Sequence, residues 1–120
     1  MPGKVELGRQ GQDHAEHFLT GKGCRILARN YRLRTGEIDL IARDGIYIVF
    51  VEVKLRRGLT HGYPREAVNY HKQQRIKKTA LHYIGRYGLN AQDFRFDVVE
   101  VYLNGDETHV THIENAFGVS

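Results

Sequence analysis

The stretch GEIDLIARDGIYIVFVEVK, residues 36–54, decides the fold. Two apolar segments, Glu37 to Arg43 and Ile46 to Leu55, flank Asp44-Gly45, a dipeptide that strongly favours a β-hairpin turn. Ile46 to Leu55 is the most hydrophobic segment of the chain, which is typical of a central strand covered on both faces. The stretch therefore predicts an antiparallel hairpin near the middle of a sheet.

This hairpin places several charged side chains on one face. Side chains alternate along a strand, so Glu37 and Asp39 share one face, and Glu52 and Lys54 share one face of the next strand. If Asp44-Gly45 forms the loop, Glu37 lies opposite Glu52 and Asp39 lies diagonal to it, at about 5–8 Å. A divalent cation would relieve the repulsion among these three carboxylates. Mg²⁺ is the expected ion because it prefers oxygen ligands, and Mn²⁺ is an alternative.

A simpler interpretation is a solvent-exposed ion pair between Glu52 and Lys54 on an edge strand, because Glu-x-Lys is a short and common pattern. The apolar residues that flank Glu52 favour a covered strand instead, where charged side chains are rare without a function. A metal ion held there can activate water and stabilise charge on a phosphoryl oxygen. Lys54 would then orient the attacking water or neutralise the transition state.

Further elements are predicted on both sides of this hairpin. Before it we predict a helix over Val5–Thr20 and a strand over Arg25–Leu33. After it, a loop with Gly58 and Gly62 leads to a helical pattern over Pro64–Tyr87, with a break near Asn69-Tyr70. Two further strands are predicted over Arg95–Leu103 and Thr108–Ile113. The order αβββαββ predicts an α/β protein in which helices flank a mixed β-sheet. With 120 residues, the chain is expected to form a single domain over 1–120.

Composition and charge narrow the class of protein. Residues 1–90 carry 17 basic and 8 acidic groups, whereas residues 91–120 carry 1 and 6. This asymmetry favours a surface that attracts a polyanion, although an ordinary solvated surface would also explain it. The single cysteine, Cys24, excludes a disulfide scaffold and fits a reducing compartment. Since no apolar run resembles a membrane span or a signal peptide, we expect a cytoplasmic protein without a membrane partner.

Basic residues on the second helix form a stripe that could follow a phosphate backbone, although a solvated helix surface is the simpler explanation of the stripe alone. The stripe consists of Lys72, Arg75, Thr79, His82 and Arg86, beside an apolar stripe of Ile76, Ala80, Tyr83, Ile84 and Tyr87. Further basic residues near the hairpin are Arg29, Arg32, Arg34, Arg56 and Arg57. Tyr63 and Tyr70 could stack on bases, but packing is the favoured interpretation for both.

These residues resemble the YraN-like family of uncharacterised bacterial proteins, a branch of the PD-(D/E)XK nuclease superfamily. The resemblance covers nearly the whole chain and includes Gly11, Gly23-Cys24-Arg25-Ile26-Leu27-Ala28-Arg29-Asn30-Tyr31-Arg32, Gly36-Glu37-Ile38-Asp39-Leu40-Ile41, Phe50-Val51-Glu52-Val53-Lys54, Ala67-Val68, Lys72, Ala80 and Arg95-Phe96-Asp97-Val98-Val99. It implies a restriction-endonuclease-like core similar to that of archaeal Holliday junction resolvases.

The resemblance also implies a ligand set. Asp39 matches the aspartate of the superfamily motif, and Glu52 and Lys54 match its (D/E)-x-K pair. In that superfamily the acidic residues bind Mg²⁺ and the lysine assists the attacking water, while the carbonyl of Val53 would be a further metal ligand.

The chain departs from the family pattern at Gln12, where the family usually has a glutamate after the glycine of the first helix. An amide cannot offer a carboxylate to a metal ion. Glu16, one helical turn further, and Glu37 from the sheet are the candidates to replace it.

The resulting expectation is a Mg²⁺-dependent endonuclease that hydrolyses phosphodiester bonds in nucleic acid. DNA is the expected polymer, with branched or recombination intermediates among the candidate substrates, and RNA is a weaker alternative. The backbone would be held by Arg34, Arg56, Arg57, Lys72 and Arg75. The competing hypothesis is a non-catalytic module that binds nucleic acid or protein and carries a degenerate metal site. Because junction-resolving relatives act as dimers, a two-fold homodimer is a further expectation.

Overall fold

A computed structural model describes residues 4–57 and 68–118 of the chain, with the side chains described from residue 8 onward. The helices and strands are α1 (Lys4–Gly21), β1 (Arg25–Leu33), β2 (Gly36–Asp44), β3 (Tyr47–Arg57), α2 (Tyr70–Arg86), β4 (Asp93–Asn104) and β5 (Glu107–Phe117). The predicted order αβββαββ is confirmed. Among the described helices, none is long and apolar enough to cross a membrane.

The five strands form one mixed sheet in the order β1-β2-β3-β4-β5. All neighbouring pairs are antiparallel except β3 and β4, which run parallel. Two parallel neighbours need a crossover connection, and α2 lies in the segment that provides it. The predicted central position of β3 is confirmed, and the α/β arrangement is consistent with a restriction-endonuclease-like fold.

Apolar side chains cover both faces of the sheet. On one face Ala15 and Leu19 of α1 pack in a cluster with Leu40, Val51 and Val99 of the central strands. On the other face, α2 covers a second cluster. Its buried members are Ile38, Ile41, Ile48, Phe50, Ile76, Ala80, Tyr83, Ile84 and Phe96. Burial on both faces explains the continuous apolar runs of β3 and β4.

The predicted register of the β2–β3 hairpin is wrong by two residues. Asp44 pairs with Tyr47, so the loop is Gly45-Ile46 and not Asp44-Gly45. Gly45 has a φ of +60° and therefore takes the first central position of the turn, where hairpins of the II′ type place glycine. A shift of two residues keeps the side chains of the paired residues on their predicted faces. The β2–β3 pairing ends at Leu40 and Val51, and beyond it the Asp39 side chain accepts a hydrogen bond from the N–H of Val53.

The second helix differs from its prediction in two places. Its described part begins at Tyr70, with Asn69 as N-cap, which is where a break was predicted. Gly58, Gly62, Tyr63 and Pro64 lie outside the described residues. Tyr87 was assigned to the buried stripe, but its side chain is 52% exposed because it follows the last helical residue as the C-cap. Thr79 of the predicted basic stripe is fully buried, and its hydroxyl bonds to Thr35 and to the carbonyl of Arg75.

Candidate active site

Asp39 of β2 and Glu52 of β3 form a carboxylate pair in which Glu52 is buried and Asp39 is partly buried. The backbone N–H of Val53 donates a hydrogen bond of 2.7 Å to Oδ2 of Asp39. Burial raises the pKa of Asp39 to about 8, helped by the hydrogen bond that it shares with Glu52 and by the charge of that carboxylate. Glu52 is only 6% exposed. Without a cation, the pair therefore retains a proton near neutral pH.

Lys72 approaches this pair from the first turn of α2. Its Nζ lies 2.8 Å from Oε2 of Glu52. This oxygen is buried and accepts no hydrogen bond of normal geometry from the described part of the chain. Lys72 thus compensates the charge of a Glu52 oxygen whose hydrogen-bonding capacity is not used within the described residues.

Lys54 follows Glu52 on the same face of β3 and is half-buried. Burial lowers the pKa of Lys54, and the neighbouring positive charge of Lys72 lowers it further. An amine so placed gives up its proton more readily than an ordinary lysine, which suits a group that handles the proton of an attacking water.

Two cavities meet at Asp39. The first has a volume of about 420 Å³ and is lined by residues of α1, β1 and β3, among them Arg9, Gln12, Asn30 and Val53. The second has a volume of about 380 Å³ and lies between the β2–β3 strands and the beginning of α2, where Glu37, Glu52, His71, Lys72 and Arg75 line it. Asp39 therefore borders both cavities, whereas Glu52 borders only the second.

Two glycines let the surrounding elements approach the pair closely. A Cβ on Gly11 would lie 3.3 Å from Cβ of Leu55, so only glycine lets α1 pack this near to β3. This contact sets Gln12 beside Asp39 and Val53. A Cβ on Gly36 would lie 3.3 Å from the carbonyl oxygen of Arg75, so the β1–β2 turn sits directly against α2.

Glu16 and Glu37, the candidates for a third carboxylate ligand, form ion pairs with arginines. Glu16 makes two hydrogen bonds of 2.6 Å with Arg29, and Glu37 makes one of 3.0 Å with Arg32. Glu37 still lines the second cavity, whereas Glu16 lines neither. Within residues 4–57 and 68–118, no group of three His, Cys, Asp or Glu side chains is placed to hold a metal ion.

The predicted nucleic-acid-binding residues divide into two groups. Lys72 and Arg75 line the second cavity next to Glu52. Arg56 bonds instead to Glu100 of β4 at 2.8 Å, while Arg34 and Arg57 are exposed outside both cavities. The structure thus brings two of the five basic residues to the carboxylate pair.

Some lining residues were not predicted from the sequence. No sequence pattern around Arg9 indicates that it lines a cavity. Asn30 has a φ of +52°, a conformation that asparagine tolerates better than most residues but that its type alone does not predict. Asn69 could have been found, because an asparagine before a helical pattern is a common N-cap.

Residues 11–101 match the model of a family described as "Uncharacterised protein family UPF0102". The chain belongs to UPF0102. A UPF0102 protein of Alkaliphilus metalliredigens is 50% identical over 111 residues, which are 92% of this chain and 96% of the relative. A UPF0102 protein of Syntrophotalea carbinolica is 45% identical over 116 residues, which are 97% and 94% of the two chains. The predicted YraN-like family is thereby confirmed, and the UPF0102 match spans Gln12, Asp39, Glu52 and Lys54.

Proposed function

We propose that this UPF0102 protein is a metal-dependent nuclease that hydrolyses phosphodiester bonds, with DNA as its preferred polymer. The observation that carries the proposal is the contact between the Asp39 and Glu52 carboxylates, of which Asp39 borders both cavities and Glu52 the second. Buried like charges are costly without a function. A divalent cation bound between the two carboxylates would relieve their repulsion.

The oxygen atoms at the site fit a hard cation. Asp39, Glu52 and the carbonyl of Val53 would hold Mg²⁺, or Mn²⁺ in its place, since both prefer oxygen ligands. The N–H of Val53 fixes the Asp39 carboxylate, and the buried Oε2 of Glu52 accepts no hydrogen bond from the described residues. When bound, the ion supplies water activation and stabilisation of charge on the phosphoryl oxygens.

The protein's own side chains supply the remaining chemistry. Lys54, with its lowered pKa, orients the attacking water and takes up or returns a proton. Lys72 and Arg75 line the second cavity and neutralise the phosphate that enters it. A phosphate held by these cations would lie next to Glu52. Lys54 lines neither cavity among the described residues, but the charges of Lys72, Glu52 and Asp39 all act on its amine.

A binding module without turnover is the second candidate, and one observation favours it. Gln12 occupies the wall of the first cavity beside Asp39, where a glutamate would have added a third carboxylate. In this case Arg9, Arg32, Lys72 and Arg75 still make the two cavities attractive to a polyanion.

Replacing Lys54 separates the two functions. We expect Lys54→Ala to lower the cleavage rate of labelled DNA in Mg²⁺ by about 100-fold or more, because it removes the group that serves the water. Its dissociation constant for the same DNA in chelator should stay within about twofold, since phosphate contacts come from other residues. Lys78→Ala, an exposed lysine of α2, is the matched control and should change neither quantity.

Equal cleavage by Lys54→Ala and wild type would refute the assigned role of Lys54. Tight binding by wild type without any cleavage in Mg²⁺ or Mn²⁺ would establish the binding module instead.

A further inference from the structure

An aromatic pair stands at the mouth of the second cavity. His71 lines the cavity together with Glu52 and Lys72. The ring of Tyr70 contacts the His71 ring edge-on, with 5.9 Å between ring centroids. Tyr70 is 68% exposed, so it is not a core residue. A large aromatic face is thus presented to solvent one residue outside the candidate active site.

The first turn of α2 holds this pair in a fixed position. The side chain of Asn69 accepts a hydrogen bond of 2.9 Å from the backbone N–H of Lys72. The side-chain amide of Gln73 donates one of 3.0 Å to the carbonyl of Val68. These bonds cap the helix on both sides of Tyr70. The backbone that carries the two rings is therefore ordered before any ligand arrives.

The charges around the pair indicate what the rings contact. Lys72 and Arg75 are exposed cations on the same helix, and both line the cavity. A phosphate held by them would carry its base at the cavity mouth, where Tyr70 and His71 offer flat faces. Aromatic rings beside cations are the usual arrangement for binding unpaired nucleotides, since every base has a stacking face that a duplex hides.

We propose that Tyr70 and His71 stack on an unpaired base of the substrate, next to the phosphate that enters the cavity. The substrate class is then nucleic acid with a single-stranded segment at the cleavage position, and not continuous duplex. This inference rests on the proposed function, because it assigns the substrate of the same site.

Binding in chelator tests the inference without cleavage. The dissociation constants of a labelled single strand and of a blunt duplex of the same sequence are measured for wild type, Tyr70→Ala and Tyr70→Phe. We expect Tyr70→Ala to raise the dissociation constant for the single strand about tenfold, and Tyr70→Phe to leave it close to wild type because the ring remains. The affinity for duplex should not change in either variant. Tyr87→Ala, a tyrosine 52% exposed at the other end of α2, is the matched control.

A fluorescent base gives a direct readout of stacking. The emission of 2-aminopurine in the single strand should be quenched on binding to wild type and to Tyr70→Phe, and less so on binding to Tyr70→Ala. Equal single-strand affinity and equal quenching in wild type and Tyr70→Ala would overturn the stacking inference and leave the nuclease proposal standing. Failure of wild type to bind either nucleic acid would overturn both.

Discussion

At the scale of single residues, Asp39 experiences opposing influences in the described structure. Its burial and the neighbouring Glu52 raise its pKa to about 8, while the hydrogen bond from Val53 N–H acts in the opposite direction. The position is therefore unfavourable for an ionised carboxylate without a cation. A carboxylate that lowers the stability of the folded protein in this way is characteristic of a functional site.

Replacing this carboxylate by an amide should stabilise the metal-free protein. We expect Asp39→Asn to raise the free energy of unfolding in chelator at pH 7 by about 1–2 kcal/mol, because the amide needs no proton and still accepts the bond from Val53. Urea denaturation measures this change. Added Mg²⁺ should raise the melting temperature of wild type and not that of the variant. A loss of stability in chelator, or an equal Mg²⁺ shift in both proteins, would contradict the assignment.

Gln12 offers the complementary test, since it lines the first cavity with Asp39 and Val53. Gln12→Glu adds a carboxylate to the ligand set, so the affinity for Mn²⁺ should rise on the order of tenfold. Calorimetric titration measures it, with Gln10→Glu as the control, an exposed glutamine on the same helix. Unchanged affinity in Gln12→Glu would mean that Gln12 is not next to a metal ligand position.

At the scale of elements, strand faces were predictable from the sequence and the exact pairing was not. Alternation along β3 was enough to place Glu52 and Lys54 on one face. The register depended on the turn position that Gly45 takes, and the local sequence allows either position. The contact between Lys72 and Glu52 joins α2 to β3 across a long connection, so no local pattern could reveal it.

The packing of α1 on β3 should depend on Gly11. Gly11→Val would place side-chain atoms against Leu55, where even a Cβ comes within 3.3 Å, so we expect a loss of about 1–3 kcal/mol in unfolding free energy. Cleavage should fall as well, because the wall of the first cavity moves. Gly8→Ala is the matched control, since nothing lies within 4 Å of its added Cβ. Gly8→Ala should keep or slightly increase stability. A Gly11→Val protein as stable as wild type would show that α1 is free to shift.

At the scale of the whole molecule, a charge network centred on a buried carboxylate joins three strands and the residue after α1, away from the candidate site. Asp97 of β4 is fully buried and lies 2.7 Å from Nε2 of His112 in β5. It also accepts hydrogen bonds from Arg95, which in turn reaches Asp44 of β2 at 2.7 Å. Nδ1 of His112 lies 2.8 Å from Nζ of Lys22, just beyond α1. The network thus connects the edge strand β5 with β4 and β2 and with Lys22, which follows α1.

Removal of the Asp97 charge should lower the free energy of unfolding by an amount that depends on pH. Burial raises the pKa of Asp97, but the bonds from His112, Arg95 and the N–H of Asn115 outweigh it, so the net pKa is lowered below 3.8. The stability that this carboxylate contributes is therefore complete above that pH and is lost as the pH falls through the lowered pKa. We expect Asp97→Asn to cost about 3–5 kcal/mol at pH 7, because Arg95 loses its buried partner.

Urea denaturation between neutral and acidic pH measures this difference, which should shrink as the pH falls below 3.8. Asp106→Asn, in the exposed β4–β5 turn, is the control and should be close to wild type throughout. A difference between wild type and Asp97→Asn that stays constant down to acidic pH would contradict the charged state assigned to Asp97.

The measurement that tests the central claim most directly is cleavage of labelled nucleic acid by wild type and Asp39→Asn. The substrates are linear duplex, single-stranded, flapped and four-way-junction DNA, with an RNA strand for comparison, each in Mg²⁺, in Mn²⁺ and in chelator. We predict metal-dependent cutting by wild type, strongest where unpaired nucleotides are available, and no cutting by Asp39→Asn. Cutting that persists in Asp39→Asn or in chelator, or binding by wild type without cutting in either metal, would contradict a metal-dependent nuclease at this site.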